Sequence, residues 1–225
     1  MADGTKSNRK FESKPSHLRL VGAGGPDAAE MADETLMLEH GKGSEEAFVE
    51  LVKRHQKGIL NFAFRMVQNR QIAEELTQEV FLALVKNAGR YQPTAKFTTY
   101  LYAIASNMIS KEWLRRKRRP KLFSLFATWG DGTENNVHPL EHVGDDRADV
   151  LKAFRQDEVS EAVTKALEQL PEHQREAFVL RRFHDVSYEE IAVITNVPVG
   201  TAKSRVVRAE RALRPLLMDF REYVT

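Results

Sequence analysis

Five cationic side chains lie close together near the carboxyl end of the sequence, in a stretch that also carries regularly spaced apolar residues. The stretch covers residues 196–217 and reads NVPVGTAKSRVVRAERALRPLL. When it is wound as a helix, one side collects the apolar residues Ala202, Val206, Ala209, Leu213 and Leu216. The other side collects Lys203, Ser204, Val207, Arg208 and Arg211, with Arg205 on the border. One helix therefore combines a dry face, suited to a protein core, with a basic face suited to a polyanion.

The sequence just before this helix predicts a second, shorter helix. Ser187 and Glu190 match the capping-box pattern that starts a helix, and Pro198 disfavours helix at Val197. Asn196 is one of the few non-glycine residues that tolerate a left-handed turn conformation. Two helices joined in this way form a helix-turn-helix, whose second helix enters the DNA major groove. A solvated helix with ordinary charges is the alternative, but the excess of one sign and the turn chemistry favour DNA binding.

A second candidate nucleic-acid segment interleaves aromatic rings with cations. It covers residues 97–121 and reads FTTYLYAIASNMISKEWLRRKRRPK. Aromatic faces stack on unpaired bases, each stack contributing roughly 1 to 3 kcal/mol, while cations hold the backbone. The alternative is that the aromatics belong to a core and the basic run is a solvated helix end, an interpretation that suits Tyr100, Leu101 and Ile104. The residues that we favour for contact with opened DNA are Phe97, Asn107, Lys111, Arg115 and Arg116.

Composition limits the kinds of protein that this chain can be. The 225 residues carry 34 Lys and Arg against 32 Asp and Glu, a formal net charge of +2, so polyanion binding must come from an uneven distribution of charge. Cysteine is absent, which excludes disulfides and thiolate metal sites and is compatible with a reducing cytosol. No apolar run approaches the roughly 18 residues that a membrane span needs. We therefore expect a cytoplasmic protein without membrane insertion.

The pattern of apolar residues predicts an all-α fold with two small helical domains. Residues 1–32 are polar and broken by glycine and proline, which predicts a disordered extension. A strong helical period over residues 33–120 predicts the first domain, and residues 158–225 predict a second, smaller domain that contains the helix-turn-helix. Residues 121–157 carry glycine, proline and a run of acids, which is typical of a flexible acidic linker.

Side chains suited to catalysis or metal binding do not form a convincing pattern. The sequence offers no nucleophile with a partner base, no glycine loop for phosphates and no carboxylate pair with acid–base spacing. His138, Glu141 and His142 could suggest a metal, but Pro139 breaks the helix that would align them, and two histidines fall short of a zinc shell. We therefore predict a protein that is not an enzyme and that needs no cofactor or metal.

Two blocks of the sequence resemble one known family when they are taken together and in order. The first is EEAFVELVKRHQKGILNFAFRMVQNRQIAEELTQEVFLALVKNAGRYQPTAKFTTYLYAIASNMISKEWLRRKRR, and the second is LPEHQREAFVLRRFHDVSYEEIAVITNVPVGTAKSRVVRAERAL. They resemble the second and fourth conserved regions of bacterial RNA polymerase sigma factors of the extracytoplasmic-function group. Asn196 stands where that family usually has Gly, Ala202 stands where it usually has Val, and the amino-terminal extension is longer than is typical.

The resemblance implies binding to core RNA polymerase. In the family, the helix that matches AEELTQEVFLAL docks on a coiled coil of the largest polymerase subunit, and the matching contact positions are Glu75, Gln78 and Glu79. Without the resemblance, the same residues would be read as an ordinary solvated helix face.

The resemblance also assigns both nucleic-acid segments to promoter DNA. The helix-turn-helix would contact the distal promoter element through Thr201, Lys203, Ser204, Arg205, Arg208 and Arg211. The aromatic-basic segment would contact the proximal element and assist strand opening through Phe97, Asn107, Lys111, Arg115 and Arg116. In the family, a loop near the start of this segment captures a flipped base, and GRYQPTAKF, residues 89–97, matches that loop here.

Several alternatives stay open at this point. Family members are often held by an anti-sigma factor, and the resemblance leaves such a partner open for this chain. The acidic linker resembles the family's spacer, which threads polymerase toward its RNA exit path, but a soluble tether would look the same. One rival function is a helix-turn-helix regulator that acts without stable polymerase binding, although it would need a sensory or dimerising domain. The other is a polymerase-bound scaffold or anti-silencing adaptor that reads no sequence.

Overall fold

The computed structural model describes residues 28–118 and 159–218, and these residues form helices and turns without any strand. The predicted linker and its His138, Glu141 and His142 lie outside the described residues, as do residues 1–27 of the predicted extension. The all-α prediction is confirmed for the described part of the chain.

Residues 28–118 form one group of helices, which we call the amino-terminal bundle. A short 3-10 helix covers Ala28–Glu30, and a second covers Ala88–Arg90. The α-helices are α1 (Asp33–Gly41), α2 (Glu45–Val67), α3 (Arg70–Asn87) and α4 (Phe97–Arg118). Polar side chains start two of them, because Ser44 caps α2 and Asn69 caps α3. The core between the helices contains Leu51, Ile59, Phe62, Leu84, Leu101 and Ile109.

Residues 28–32 are structured, although the sequence predicted them to belong to a disordered extension. The guanidinium of Arg54 donates hydrogen bonds to the carbonyls of Ala28 at 3.1 Å, Ala29 at 2.8 Å and Met31 at 2.7 Å. It also pairs with the carboxylate of Asp33 at 2.7 Å. The prediction that residues 28–32 are disordered is wrong, because one long side chain supplies the partners that this polar segment lacks in its own sequence.

Residues 159–218 form the carboxyl-terminal bundle. Its helices are α5 (residues 159–168), α6 (Glu172–Phe183), α7 (Tyr188–Ile194) and α8 (Val199–Leu216). The predicted capping box starts α7: the Glu190 N–H donates to Ser187 Oγ at 3.2 Å, and the Ser187 N–H donates to Glu190 Oε2 at 3.0 Å. Asn196 has a φ of 50°, and Pro198 is the residue just before the first turn of α8. The helix-turn-helix prediction is therefore confirmed.

The dry face of α8 packs against the rest of its bundle. Ala202, Val206, Ala209 and Leu213 are buried, as the helical period predicted. Leu216 was predicted to join them, but it is 40 % exposed. That part of the prediction is wrong because Leu216 is the last residue of the helix.

The carboxyl-terminal bundle packs against helix α4. Ser106 Oγ donates a hydrogen bond to Glu176 Oε1 at 2.5 Å, and the Tyr102 hydroxyl lies 2.8 Å from Nδ1 of His184. The sequence predicted two domains joined by a flexible linker and gave no sign of this direct contact. Helix α4 is itself one of the two candidate nucleic-acid segments. Because it also contacts the bundle that contains the other segment, α8, it fixes the position of both.

The left-handed turn at Asn196 generates a stability prediction. We expect Asn196→Gly to leave the free energy of unfolding nearly unchanged and Asn196→Ala to lower it by about 1 kcal/mol, because a Cβ without a polar side chain is strained at this φ. Urea unfolding of the two variants measures the difference. Equal stability of the Ala and Gly variants would show that the turn places no demand on this residue.

Candidate nucleic-acid and polymerase-binding surfaces

The basic face of α8 points away from the protein. Lys203, Arg208 and Arg211 are exposed, and the Lys203 ammonium lies 5.7 Å from the centre of the Tyr188 ring. In the same helix, Glu210 pairs with Arg182 of α6 at 2.6 Å. The three cations therefore present positive charge to solvent along one side of the second helix of the helix-turn-helix.

The other three residues predicted on this face are half-buried. Ser204 Oγ donates to the Thr201 carbonyl at 2.9 Å, which ties that hydroxyl to its own helix. Arg205 lies at the edge of the dry face, close enough to the Glu176 carboxyl to lower its pKa, although burial has the larger effect and raises that pKa. Arg208 is consequently freer than Arg205 to reach a base edge.

Phe97 lies in the core of the amino-terminal bundle. Its ring is 1 % exposed, 5.3 Å from the ring of His55 and 6.3 Å from the ring of Tyr91, centre to centre. Its backbone N–H donates to Glu34 at 2.7 Å. The expectation that Phe97 contacts DNA does not fit this position, because the apolar ring is enclosed by the helices that it holds together.

The polar residues predicted along α4 are at the surface but differ in their contacts. Asn107 and Lys111 are exposed. Arg115 and Arg116 both donate to the buried carboxylate of Glu112, at 2.5 and 2.9 Å. Arg115 remains half-exposed. Arg116 is less exposed than Arg115.

Arg116 donates a hydrogen bond to the carboxyl end of α2. Its Nη1 donates to the Val67 carbonyl at 3.0 Å, where α2 ends and can no longer satisfy that carbonyl itself. Burial is the largest single effect on the pKa of Glu112, and it raises that pKa. The hydrogen bonds and charges of Arg115 and Arg116 together outweigh burial, so the pKa of Glu112 is lowered. Arg116 therefore has a structural contact that its neighbour lacks.

The candidate polymerase-binding surface lies on α3. Glu75, Gln78 and Glu79 are all exposed, whereas the apolar residues on the core side of α3 are buried: Leu76, Val80 and Leu84. The pKa of Arg115 is raised, first by its hydrogen bond with Glu112 and to a smaller extent by the carboxylates of Glu75 and Glu79. Arg115 consequently lies where the acidic face of α3 meets α4.

Two apolar residues extend this acidic face and were missed by the sequence interpretation. Leu82 is 57 % exposed and Val85 is 44 % exposed; Leu82 follows Glu79 by three residues, and Val85 follows Gln78 by seven, so both continue the exposed face. The signal was present in the sequence, because leucine and valine at these positions fall outside the buried set of α3. Exposed apolar side chains that lie close together mark a candidate protein-binding surface.

Comparison with known proteins decides the family. Residues 51–119 match the family described as Sigma-70 region 2, and residues 160–213 match Sigma-70, region 4. The chain is 34 % identical to the RNA polymerase sigma-H factor of Pseudomonas aeruginosa over 83 % of its own length and 96 % of that protein. It is 30 % identical to the ECF RNA polymerase sigma-E factor of Escherichia coli over 82 % and 93 % of the two chains. The chain belongs to the ECF group of RNA polymerase sigma factors.

Solved structures share the fold of this ECF sigma factor. CnrH, solved in complex with the cytosolic domain of CnrY, superposes with a TM-score of 0.57 at 22 % identity and covers 84 % of this chain and 99 % of its own. The sigma factor RpoE of Bartonella quintana, solved with the anti-sigma factor NepR, gives 0.54 at 23 % identity and covers 76 % and 96 % of the two chains. Within residues 28–118 and 159–218 of the present sigma factor, no group of metal-ligating side chains forms, and no helix is long and apolar enough to cross a bilayer.

The different environments of two adjacent arginines generate a prediction for this sigma factor. Arg116→Ala should lower the free energy of unfolding by about 1 to 3 kcal/mol, because it leaves the Val67 carbonyl and the buried Glu112 with fewer partners. Arg115→Ala should cost less, because Arg115 is 54 % exposed and the Glu112 carboxylate keeps its hydrogen bond from Arg116. Chemical unfolding of the two single variants measures both values. An equal loss in the two variants would contradict the structural assignment of Arg116.

Proposed function

We propose that this ECF sigma factor docks on core RNA polymerase through the acidic face of α3, reads a distal promoter element with α8, and assists opening of the proximal element with α4. The observation that carries the proposal is the arrangement of its surfaces. The α3 face, the basic face of α8, and Asn107 and Lys111 of α4 are all exposed on helices that match the two sigma regions.

The sigma-factor assignment favours polymerase-dependent reading of promoters over the rival functions. A helix-turn-helix regulator would account for α8 but not for a matched region 2 with an exposed acidic helix. A scaffold that reads no sequence would not need the basic helix of region 4. We infer that the protein contributes binding energy and not bond chemistry, and that it acts in the cytoplasm, where polymerase and promoter DNA are found.

The solved relatives also support a proteinaceous inhibitor. CnrH was solved with the cytosolic domain of CnrY, and the Bartonella quintana RpoE was solved with the anti-sigma factor NepR. We infer that an anti-sigma factor can hold the present protein as well.

Transcription from genomic DNA tests the proposed function directly. Purified core polymerase from the same organism is combined with this protein on fragmented genomic DNA, and the start sites are mapped. We expect a limited set of new start sites that share two upstream elements. Core polymerase that gains no start sites, or gains them without a shared sequence, would contradict promoter reading.

The acidic face of α3 generates a binding prediction. Reversing Glu75 and Glu79 to Lys should weaken association with core polymerase at least about tenfold. The substitutions reverse the charge of the proposed docking face, so a polymerase surface that attracts the two carboxylates would repel the two ammonium groups. Reversing Glu161 and Glu168, which are exposed on α5, is the matched control for net charge. Affinity is measured with labelled protein, and helical content by circular dichroism. If both pairs weaken binding equally, the α3 face is not the docking surface.

The basic face of α8 generates a prediction that separates base reading from phosphate binding. Lys203→Ala should weaken holoenzyme binding to all sequences alike and reduce the slope of log affinity against log salt by about 0.9. Arg208→Ala should flatten the preference at one base pair by about 1 to 3 kcal/mol, because the planar guanidinium can bind guanine with two hydrogen bonds.

The measurement uses promoter fragments with single-base changes over a range of salt concentrations. Lys165→Ala, at an exposed cation of α5, is the control for the loss of one charge. If neither α8 variant relaxes a base preference, we would assign sequence reading to other residues.

A further inference from the structure

The exposed face of α8 contains one apolar side chain that the proposed function has not used. Val207 is 46 % exposed, and it lies one helical turn from Lys203, Ser204 and Arg211. Wound at 100° per residue, Val207 and Arg208 fall about 50° to either side of the line that runs opposite the buried residues of the helix. When α8 lies in the major groove, both side chains therefore face the bases.

The packing of the carboxyl-terminal bundle does not account for a valine at this position. Val207 does not belong to the hydrophobic core of the described residues or to the apolar side chains packed against it. Valine is also a weaker helix former than alanine, lysine or arginine, because its branched Cβ restricts χ1. Exposed apolar residues that occur singly are ordinary, but Val207 stands among the cations of a face proposed to read bases.

The polar side chains around Val207 are bound to other groups. The Lys203 ammonium lies 5.7 Å from the centre of the Tyr188 ring, and Ser204 Oγ donates to a carbonyl of its own helix at 2.9 Å. Glu210, three residues further along α8, pairs with an arginine of α6 at 2.6 Å. The methyl groups of Val207 consequently stay accessible between these neighbours.

The major groove offers one apolar group that suits such a side chain. Among the four standard bases, only thymine presents a methyl group at the groove edge, and apolar side chains contact it in protein–DNA complexes. Guanine instead presents the O6 and N7 acceptors that a guanidinium binds with two hydrogen bonds. A valine beside an arginine therefore matches a thymine near a guanine.

We propose that Val207 contacts the 5-methyl group of a thymine in the distal promoter element, close to the guanine that Arg208 binds. The inference rests on the proposed role of α8 in reading that element, and it adds an apolar contact to the polar ones. Cytosine lacks the methyl group and presents an amino donor in its place, so the contact selects thymine against cytosine.

Replacing thymidine by deoxyuridine tests the contact, because the two nucleotides differ only in the 5-methyl group. Distal elements mapped by the transcription experiment are prepared with each thymidine replaced in turn, and holoenzyme binding is measured at constant salt. We expect one replacement near the guanine to weaken wild-type binding about two- to fivefold, the range for one methyl-sized apolar group that is no longer buried.

The variant Val207→Ala should remove this sensitivity to deoxyuridine. Its shortened side chain no longer reaches the methyl group, and alanine is the better helix former, so α8 stays folded. Binding to the unmodified element should fall about two- to fivefold, and deoxyuridine at the sensitive position should have no further effect. The four measurements form a double-mutant cycle in which one partner is the DNA methyl group.

Two further variants show whether the effect belongs to Val207. Val49→Ala, at an exposed valine of α2, makes the same chemical change in the other bundle and should keep the full sensitivity to deoxyuridine. Arg208→Ala should lose the preference for guanine and still distinguish thymidine from deoxyuridine. The inference is overturned if no thymidine of the distal element is sensitive, if Val207→Ala stays as sensitive as the wild type, or if Val49→Ala loses the sensitivity as well.

Transcription separates this inference from the proposed function. Start sites that share two upstream elements, together with binding that ignores every deoxyuridine, would overturn the inference and leave the sigma function intact. Wild-type protein that produces no start sites would contradict the proposed function, and the inference would fall with it.

Discussion

The packing of α4 from two sides is the constraint on which the rest of the structure depends. Its apolar side, with Leu101 and Ile109, completes the core of the amino-terminal bundle, and the adjacent arc receives the carboxyl-terminal bundle. A third arc stays in solvent with Asn107 and Lys111. All three arcs belong to one helix. Any change in the position of α4 therefore alters the core, the contact between the bundles and the proposed DNA surface at the same time.

The contact between the bundles contains buried titratable groups with opposing responses to pH. Burial lowers the pKa of His184 to about 4, with Arg65 adding to the shift, so docking loses stability as pH falls from 6.5 toward 4. Burial raises the pKa of Glu176, so docking loses stability as pH rises above the ordinary value of 4.5. The two effects partly cancel, which makes docking less sensitive to pH than either group alone would make it.

Local chemistry explains which features could be predicted from the sequence. The start of α7, the left-handed turn at Asn196 and the start of α8 depend on neighbours within a few residues, so capping and turn preferences were sufficient. The exposed positions of Glu75 and Glu79 follow from the helical period of α3 in the same way. Their assignment to polymerase binding came from the family resemblance and not from periodicity.

Long-range contacts explain the features that the sequence could not predict. Arg54 orders residues 28–31 from another helix, and Arg116 reaches back to Val67 at the end of α2. Neither partner lies near its arginine in the sequence. The prediction for Phe97 was wrong because the sequence does not show which side chains enclose its ring. An aromatic residue beside a basic run can either pack in a core or stack on a base, and Phe97 packs in the core. Helical periodicity likewise gives no information about two bundles docking through polar side chains.

The distance between the bundles tests the central claim most directly. The chain has no cysteine, so Lys53→Cys and Lys165→Cys, at exposed positions on α2 and α5, introduce two unique sites for spin labels. Pulsed electron spin resonance then measures the distance distribution between the labels. The account predicts one narrow distance in the free factor, because the carboxyl-terminal bundle is held on α4. A broad distribution in the free factor would contradict it.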